Sequence, residues 1–277
     1  MRPVHYITII VSSVLVWVLF RWGNIAPPKE DSNISVATPS HAPAQINADS
    51  LIKVSKADLP NHAQETITAL EHELSALKDS IKMAPLFEKL ADVWLEHKRF
   101  LPVAYYHMIA ARLENSEKKL NFAAQLFLDL ARRADDAALQ AWEGQMAISG
   151  FSRVLELNSD NDTAKVHLAE CYIGTGETMQ GVLLLREVTE KNPDNIPANL
   201  ILGQQGIVSG QLDKAIARFE TVLRQEPKNL EAILGMAEAL KNKGDKTKAI
   251  ALLEQAKELM NHPGFSKDID EYIKSFK

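Results

Sequence analysis

The residues able to make or break bonds are few and scattered along the chain. The single cysteine, Cys171, has no second thiol to pair with, and the eight histidines, among them His97, His107 and His167, form no HxH, HExxH or Cys/His cluster. Metal ligation needs several such donors converging at short spacing, so no metal and no cofactor is expected. GxSxG, phosphate-loop and dinucleotide-binding patterns are also absent. Asp and Glu are abundant, but on helices they form the ordinary solvent face, and the chain is not expected to be an enzyme. Cys171 falls inside a helical run, where a buried inert thiol is the expected state. One cysteine cannot form an internal disulfide, so cysteine usage leaves the compartment open. A net charge of −5 with no dense Lys/Arg face argues against nucleic acid as a partner.

Regular spacing, by contrast, is strong. Leu168, Leu202 and Met236 recur every 34 residues, as do Gly176, Gly210 and Gly244. Pro193 and Pro227 stand at the same step. Each unit then places a small residue, a bulky apolar one and another apolar one at fixed offsets: Gly181/Leu185/Val188, Ala215/Phe219/Val222 and Ala249/Leu253/Ala256. A glycine after an apolar-periodic run ends a helix, because glycine takes the left-handed conformation without a Cβ clash. The chain can then fold back as a second helix. Ala169, Gly203 and Ala237 on the first helix are expected to face Gly181, Ala215 and Ala249 on the second, letting the backbones approach closely. The prolines cannot continue the second helix and mark the start of the next pair. A lone pair cannot bury its apolar stripe, so the units must stack.

Residues 162–263 therefore resemble three consecutive tetratricopeptide (TPR) units, 162–195, 196–229 and 230–263. The aromatic residue that opens the first helix in that family is replaced by Lys165, Asn199 and Ile233. Gly206 stands where Tyr172 and Leu240 stand in the neighbouring units, and it either admits a close neighbour or leaves a void. The resemblance implies an all-α, right-handed superhelical α-solenoid. It also implies a concave groove lined by Val166, Glu170 and Ile173, then Leu200, Gln204 and Ile207, then Leu234, Glu238 and Lys241. The Lys/Asn carboxylate clamp of chaperone-binding TPR domains is not matched at these positions. Read as exposed, they form an apolar stripe flanked by Glu170 and Glu238, suited to an amphipathic helix or extended peptide with a basic edge. The competing reading is that they pack against adjacent repeats or a terminal cap helix.

The N-terminal part is organised differently. Residues 6–20 carry no charge, and the stretch from His5 to Trp22, counted with its flanking residues, is eighteen residues long, against the roughly 17–25 that span a bilayer as a helix. Arg2 and Arg21 flank it, Trp17 and Trp22 suit an interfacial belt, and no small-residue cleavage site follows. Residues 1–22 are accordingly expected to be an uncleaved signal anchor. The expected placement is a single pass through a bacterial inner membrane with the repeats on the periplasmic side. The alternative is an organelle-membrane anchor with the repeats in the cytosol.

Residues 23–61, interrupted by Pro27, Pro28, Pro39, Pro43 and Pro60, show no helical period and read as a flexible linker. From Ile67 through Leu70, Leu74, Leu77 and Ile81 to Ala84, apolar residues alternate at steps of three and four, the seam of a coiled coil. That seam either packs on the next helix pair or mediates self-association. Residues 62–161 otherwise read as degenerate helix pairs. One carries Leu90, Ala91 and Trp94 opposite Ala104 and Ala111. The next carries Ala147, Phe151, Val154 and Leu157 in the register of a second helix, with its first helix displaced to about 122–132 and an insertion near 134–142. Residues 264–277 are amphipathic and read as a cap. Together these features predict a membrane-tethered scaffold that binds a protein segment, with a self-associating spacer of membrane complexes as the alternative.

Overall fold

The computed structural model describes residues 46–276. The expected membrane segment, residues 1–22, and most of the expected linker lie outside the described residues. Within them every regular element is an α-helix: α1 (Ala48–Ala57), α2 (Asn61–Ala76), α3 (Ser80–Glu96), α4 (Phe100–Glu114), α5 (Glu117–Ala131), α6 (Ala137–Leu157), α7 (Asp162–Gly174), α8 (Thr178–Lys191), α9 (Ile196–Val208), α10 (Leu212–Gln225), α11 (Leu230–Lys243), α12 (Lys246–Met260) and α13 (Pro263–Lys274). None of these helices is long and apolar enough to cross a membrane. Consecutive helices from α3 to α12 pack as five antiparallel-type pairs, each stacked on the next.

The 34-residue register has a local cause at each end of the first helix. Asn161, Asn195 and Asn229 cap α7, α9 and α11, their side chains accepting from the backbone N–H of Ala164, Ala198 and Ala232. Each cap satisfies a donor that the first turn leaves unpaired. At the other end Gly176, Gly210 and Gly244 take φ of +92°, +72° and +97°. The amides of Glu177, Gln211 and Asp245 then donate back across the turn to the carbonyls of Tyr172, Gly206 and Leu240, the closure typical of a glycine C-cap. In the first pair the same reversal occurs without glycine: Lys98 sits at φ +55°, and Arg99 N–H donates to Trp94 C=O at 3.1 Å. Gly244→Ala is expected to cost roughly 1–2 kcal/mol, and Lys98→Gly to stabilise by up to about 1 kcal/mol, because a Cβ is disfavoured in this backbone region. Thermal melts of the two variants, moving in opposite directions, check both.

Close approach within the pairs follows from small side chains. A Cβ on Gly181 would lie 2.5 Å from the Ala169 carbonyl oxygen, so no larger residue fits there. The positions that the aromatic opener would occupy are filled by buried residues with partners. Lys165 pairs with Glu187. The Asn199 amide donates to the carbonyls of Pro193 and Asn195, both at 2.8 Å, while its oxygen accepts from Arg218 at 3.0 Å. Burying polar groups with these bonds made avoids the desolvation penalty of an unpaired amide.

Three sequence expectations need correction in the N-terminal half. First, residues 48–57, read as part of the 23–61 linker, form α1. Asn47 caps it, and Ile52 and Leu59 are buried with Ile67, Leu90 and Trp94. A helix this short buries only one edge, so its apolar period is too sparse to stand out among prolines and serines. Second, the seam from Ile67 to Ile81 is not one helix. The chain leaves α2 at Leu77, and the Asp79 carboxylate caps α3 by accepting from Ile81 N–H. Ile67 is fully buried and Leu70 and Leu74 pack beside it on the α3/α4 core, whereas Ile81 is 70% exposed on the next helix. Steps of three and four cannot distinguish an unbroken helix from two helices whose turn lacks glycine and proline. Third, Leu157 is 40% exposed, while Ala147, Phe151 and Val154 are fully buried as expected. The insertion near 134–142 is a turn followed by extra helix, since α6 begins at Ala137 and runs 21 residues.

The cap is formed by α13. Ile269 and Phe276 are buried against Ala237, Leu240, Ala249 and Leu253, closing the last pair where the repeats stop.

Candidate interaction surface

The nine groove positions project from α7, α9 and α11, but their apolar members are not bare. Val166 is 4% exposed, Leu200 9% and Ile207 9%. Val166 shares a cluster with Ala169, Leu185 and Ala198, and Leu200 and Ile207 share one with Phe219, Ala232 and Ala239. Each cluster therefore joins the first helix of one unit to the first helix of the next. Ile173 packs on the former cluster, and Leu234 on the core beneath α13. The expected exposed apolar stripe is corrected accordingly: these side chains cement successive repeats.

The polar members remain at the surface. The Glu170 carboxylate accepts from Arg132 Nε at 2.8 Å, and Arg132 also donates to Asp129 at 2.8 Å. Gln204 is exposed and Glu238 half-buried. The Lys241 ammonium is held by the cap, 4.3 Å from the Tyr272 ring centroid and 5.0 Å from that of Phe276. Such cation–π contacts add about 0.5–1 kcal/mol at partly exposed sites. What the solenoid displays along its first helices is thus a row, Glu170, Gln204 and Glu238, repeating with the 34-residue unit, beside the half-buried Ile173 and Leu234.

A second feature lies on the other side of α9. A cleft of about 610 Å³ opens between α8, the end of α9 and the start of α10, with Gly206 in its wall. Gly206 admits a close neighbour: a Cβ there would come to 3.0 Å from the Ala215 Cβ and 3.2 Å from its Cα, so α10 approaches α9 closely beside the cleft.

The histidines and the cysteine sit in separate environments. His97 lies beside His62, with ring centroids 5.8 Å apart, His107 meets the Phe122 edge, and His167 stacks on Phe151. Burial pulls the His107 and His167 imidazoles below their ordinary value. Among the described residues no group of His, Cys, Asp and Glu is arranged to hold a metal ion. Burial pushes the Cys171 thiol up to about 12, so almost none of it is thiolate near neutral pH. Maleimide labelling is expected to be slow in the folded chain and fast once denatured. Rapid labelling of the native protein, followed by mass spectrometry, would contradict this placement.

Comparison with known proteins agrees with the geometry. The tetratricopeptide repeat family pattern matches residues 208–262, which covers α10 to α12. A MamA fragment from Desulfovibrio magneticus RS-1 superposes with a TM-score of 0.52 at 20% identity, covering 67% of this chain and 98% of that one. PilW, described as a type IV pilus biogenesis factor, gives a TM-score of 0.52 at 14% identity over 80% of this chain and 94% of that one. YrrB, described as a TPR protein with an unusual peptide-binding site, gives 0.50 at 15% identity over 73% and 98%. No curated protein sequence matches the chain. Fold and pattern together define, over the described residues, an all-helical TPR-like solenoid.

Proposed function

We propose that this chain is a membrane-tethered scaffold that binds a protein segment along its repeats, as an assembly adaptor or chaperone-like accessory factor. The observation that carries the reading is the stack of helix pairs whose inter-repeat contacts bury Val166, Leu200 and Ile207. A partner would therefore meet the periodic polar row Glu170, Gln204 and Glu238 along the first helices. Polar groups on rigid, evenly spaced helices suit recognition by hydrogen bonding without large rearrangement. The tether rests on the charge-free run at residues 6–20, which would hold the repeats near a bilayer on the periplasmic side. Self-association through Ile67–Ile81 is the less favoured reading, since the chain leaves α2 at Leu77 and Ile67 is buried in the core.

The test is photo-crosslinking from position 204, whose side chain is exposed, in native membranes. A dominant foreign adduct, lost on Glu238→Lys, is expected. No adduct from 204 despite membrane localisation would remove the scaffold reading. Protease protection of a C-terminal tag tests the tether separately: a tag open to protease on the cytoplasmic side overturns the periplasmic placement.

A further inference from the structure

The unit centred on α9 and α10 departs from its neighbours at one place. In the 34-residue register, Gly206 replaces Tyr172 and Leu240, and α10 approaches α9 closely at it. The cleft of about 610 Å³ lies at this point. Along α9 it is lined by Leu202, Gln205, Gly206 and Ser209. At about 100° per residue these face away from Leu200, Gln204 and Ile207, so the cleft is distinct from the polar row. Its rim carries two of the most exposed apolar side chains among the described residues, Met179 at 71% and Val208 at 73%.

The charge of the cleft is one-sided. Arg186, Lys214 and Arg218 line it, opposed by the single carboxylate of Glu177. None of the three cations forms an ion pair among the described residues. Lys214 donates to Gln211 and Arg218 to Asn199, both neutral amides. Arg218 is half-buried, and burial together with the neighbouring Arg186 pulls its pKa below the ordinary guanidinium value. A cleft with exposed apolar side chains on its rim and uncompensated cations in its wall has a definite complement.

We propose that the cleft binds an acidic segment of a partner protein. One bulky apolar residue of that segment enters the cleft beside Gly206, between Met179 and Val208, and flanking carboxylates meet Arg186, Lys214 and Arg218. The guanidinium groups favour planar, bidentate carboxylate recognition. The inference deepens the scaffold reading by naming partner chemistry and a second docking face, and it rests on that reading.

The test is selection from a displayed random-peptide library on the purified full-length chain. Enriched peptides are expected to combine one large apolar residue with several Asp or Glu residues. Arg186→Glu combined with Lys214→Glu, both at exposed side chains, is expected to weaken these peptides at least about tenfold. Val208→Asp, at a side chain 73% exposed on the rim, should weaken them similarly by setting a like charge against the peptide, with a thermal melt verifying its fold. Enrichment of basic or uncharged peptides, no enrichment, or binding indifferent to the charge reversal each overturns the proposal. Peptides that bind but ignore both variants leave the scaffold reading intact while removing this one. Binding of phosphatidylglycerol vesicles that is lost on the same charge reversal, with peptides unaffected, would assign the cleft to an anionic lipid surface instead.

Discussion

Phe219→Ala is expected to lower the free energy of unfolding by about 3–5 kcal/mol, read from chemical denaturation. Phe219 is 1% exposed and is the aromatic member of a series whose equivalents, Leu185 and Leu253, are smaller. The extra volume is accommodated by two glycines on the flanking first helices. A Cβ on Gly203 would fall 2.7 Å from the ring, and one on Gly235 would fall 2.5 Å from it. One ring thus packs α9, α10 and α11 together, and truncation leaves a cavity that glycines cannot fill. The complementary change, Gly235→Ala, overpacks the same space at roughly 1–3 kcal/mol. Phe219→Leu should relieve that strain, so the double variant should lose less than the sum of the single losses. Strict additivity would show that ring and glycine do not share the contact.

The repeats were legible because each carries its own punctuation. Glycines at positive φ, small residues at close approaches and prolines between units are chemical requirements of a helix pair. They recur in register across 162–263, and the three pairs from α7 to α12 follow from them. The first half was harder to read because other residues do the same jobs there. Lys98 and Asn115 take the left-handed conformation with φ of +55° and +50°, so no glycine marks those turns. The break at Leu77–Asp79 is hidden because Ile81 continues the period of Ile67, Leu70 and Leu74 by coincidence of spacing.

The site was legible in position but not in state. Val166, Leu200 and Ile207 lie on the helices the register assigns them, yet periodicity within one helix does not reveal that the next first helix covers that side. Burial there depends on stacking distance, a property of the assembled solenoid. Gly206 carried the opposite lesson. Its departure from Tyr172 and Leu240 was visible in the sequence, but only the structure places Met179, Val208 and three cations around the adjacent cleft.

Glu143→Gln is expected to stabilise the protein above neutral pH and to have progressively less effect in acid. Glu143 is 2% exposed on α6, and its Oε2 finds no hydrogen-bond donor among the described residues. Burial alone pushes its carboxyl from 4.5 up to about 7, because the ionised form loses hydration with no cation to replace it. A raised folded-state pKa means that the folded chain holds this proton more tightly than the unfolded chain does. The contribution to stability is therefore fully present below about 4.5 and is lost as pH rises through about 7. Across that window the native protein should lose stability with at most the slope of one proton, roughly 1.4 kcal/mol per pH unit. The glutamine variant, which cannot ionise, should lack that slope. Denaturation curves of both proteins across the window decide it. If the two profiles run parallel, the carboxylate is ionised and hydrated, and the first turns of α6 are not packed against the rest of the solenoid.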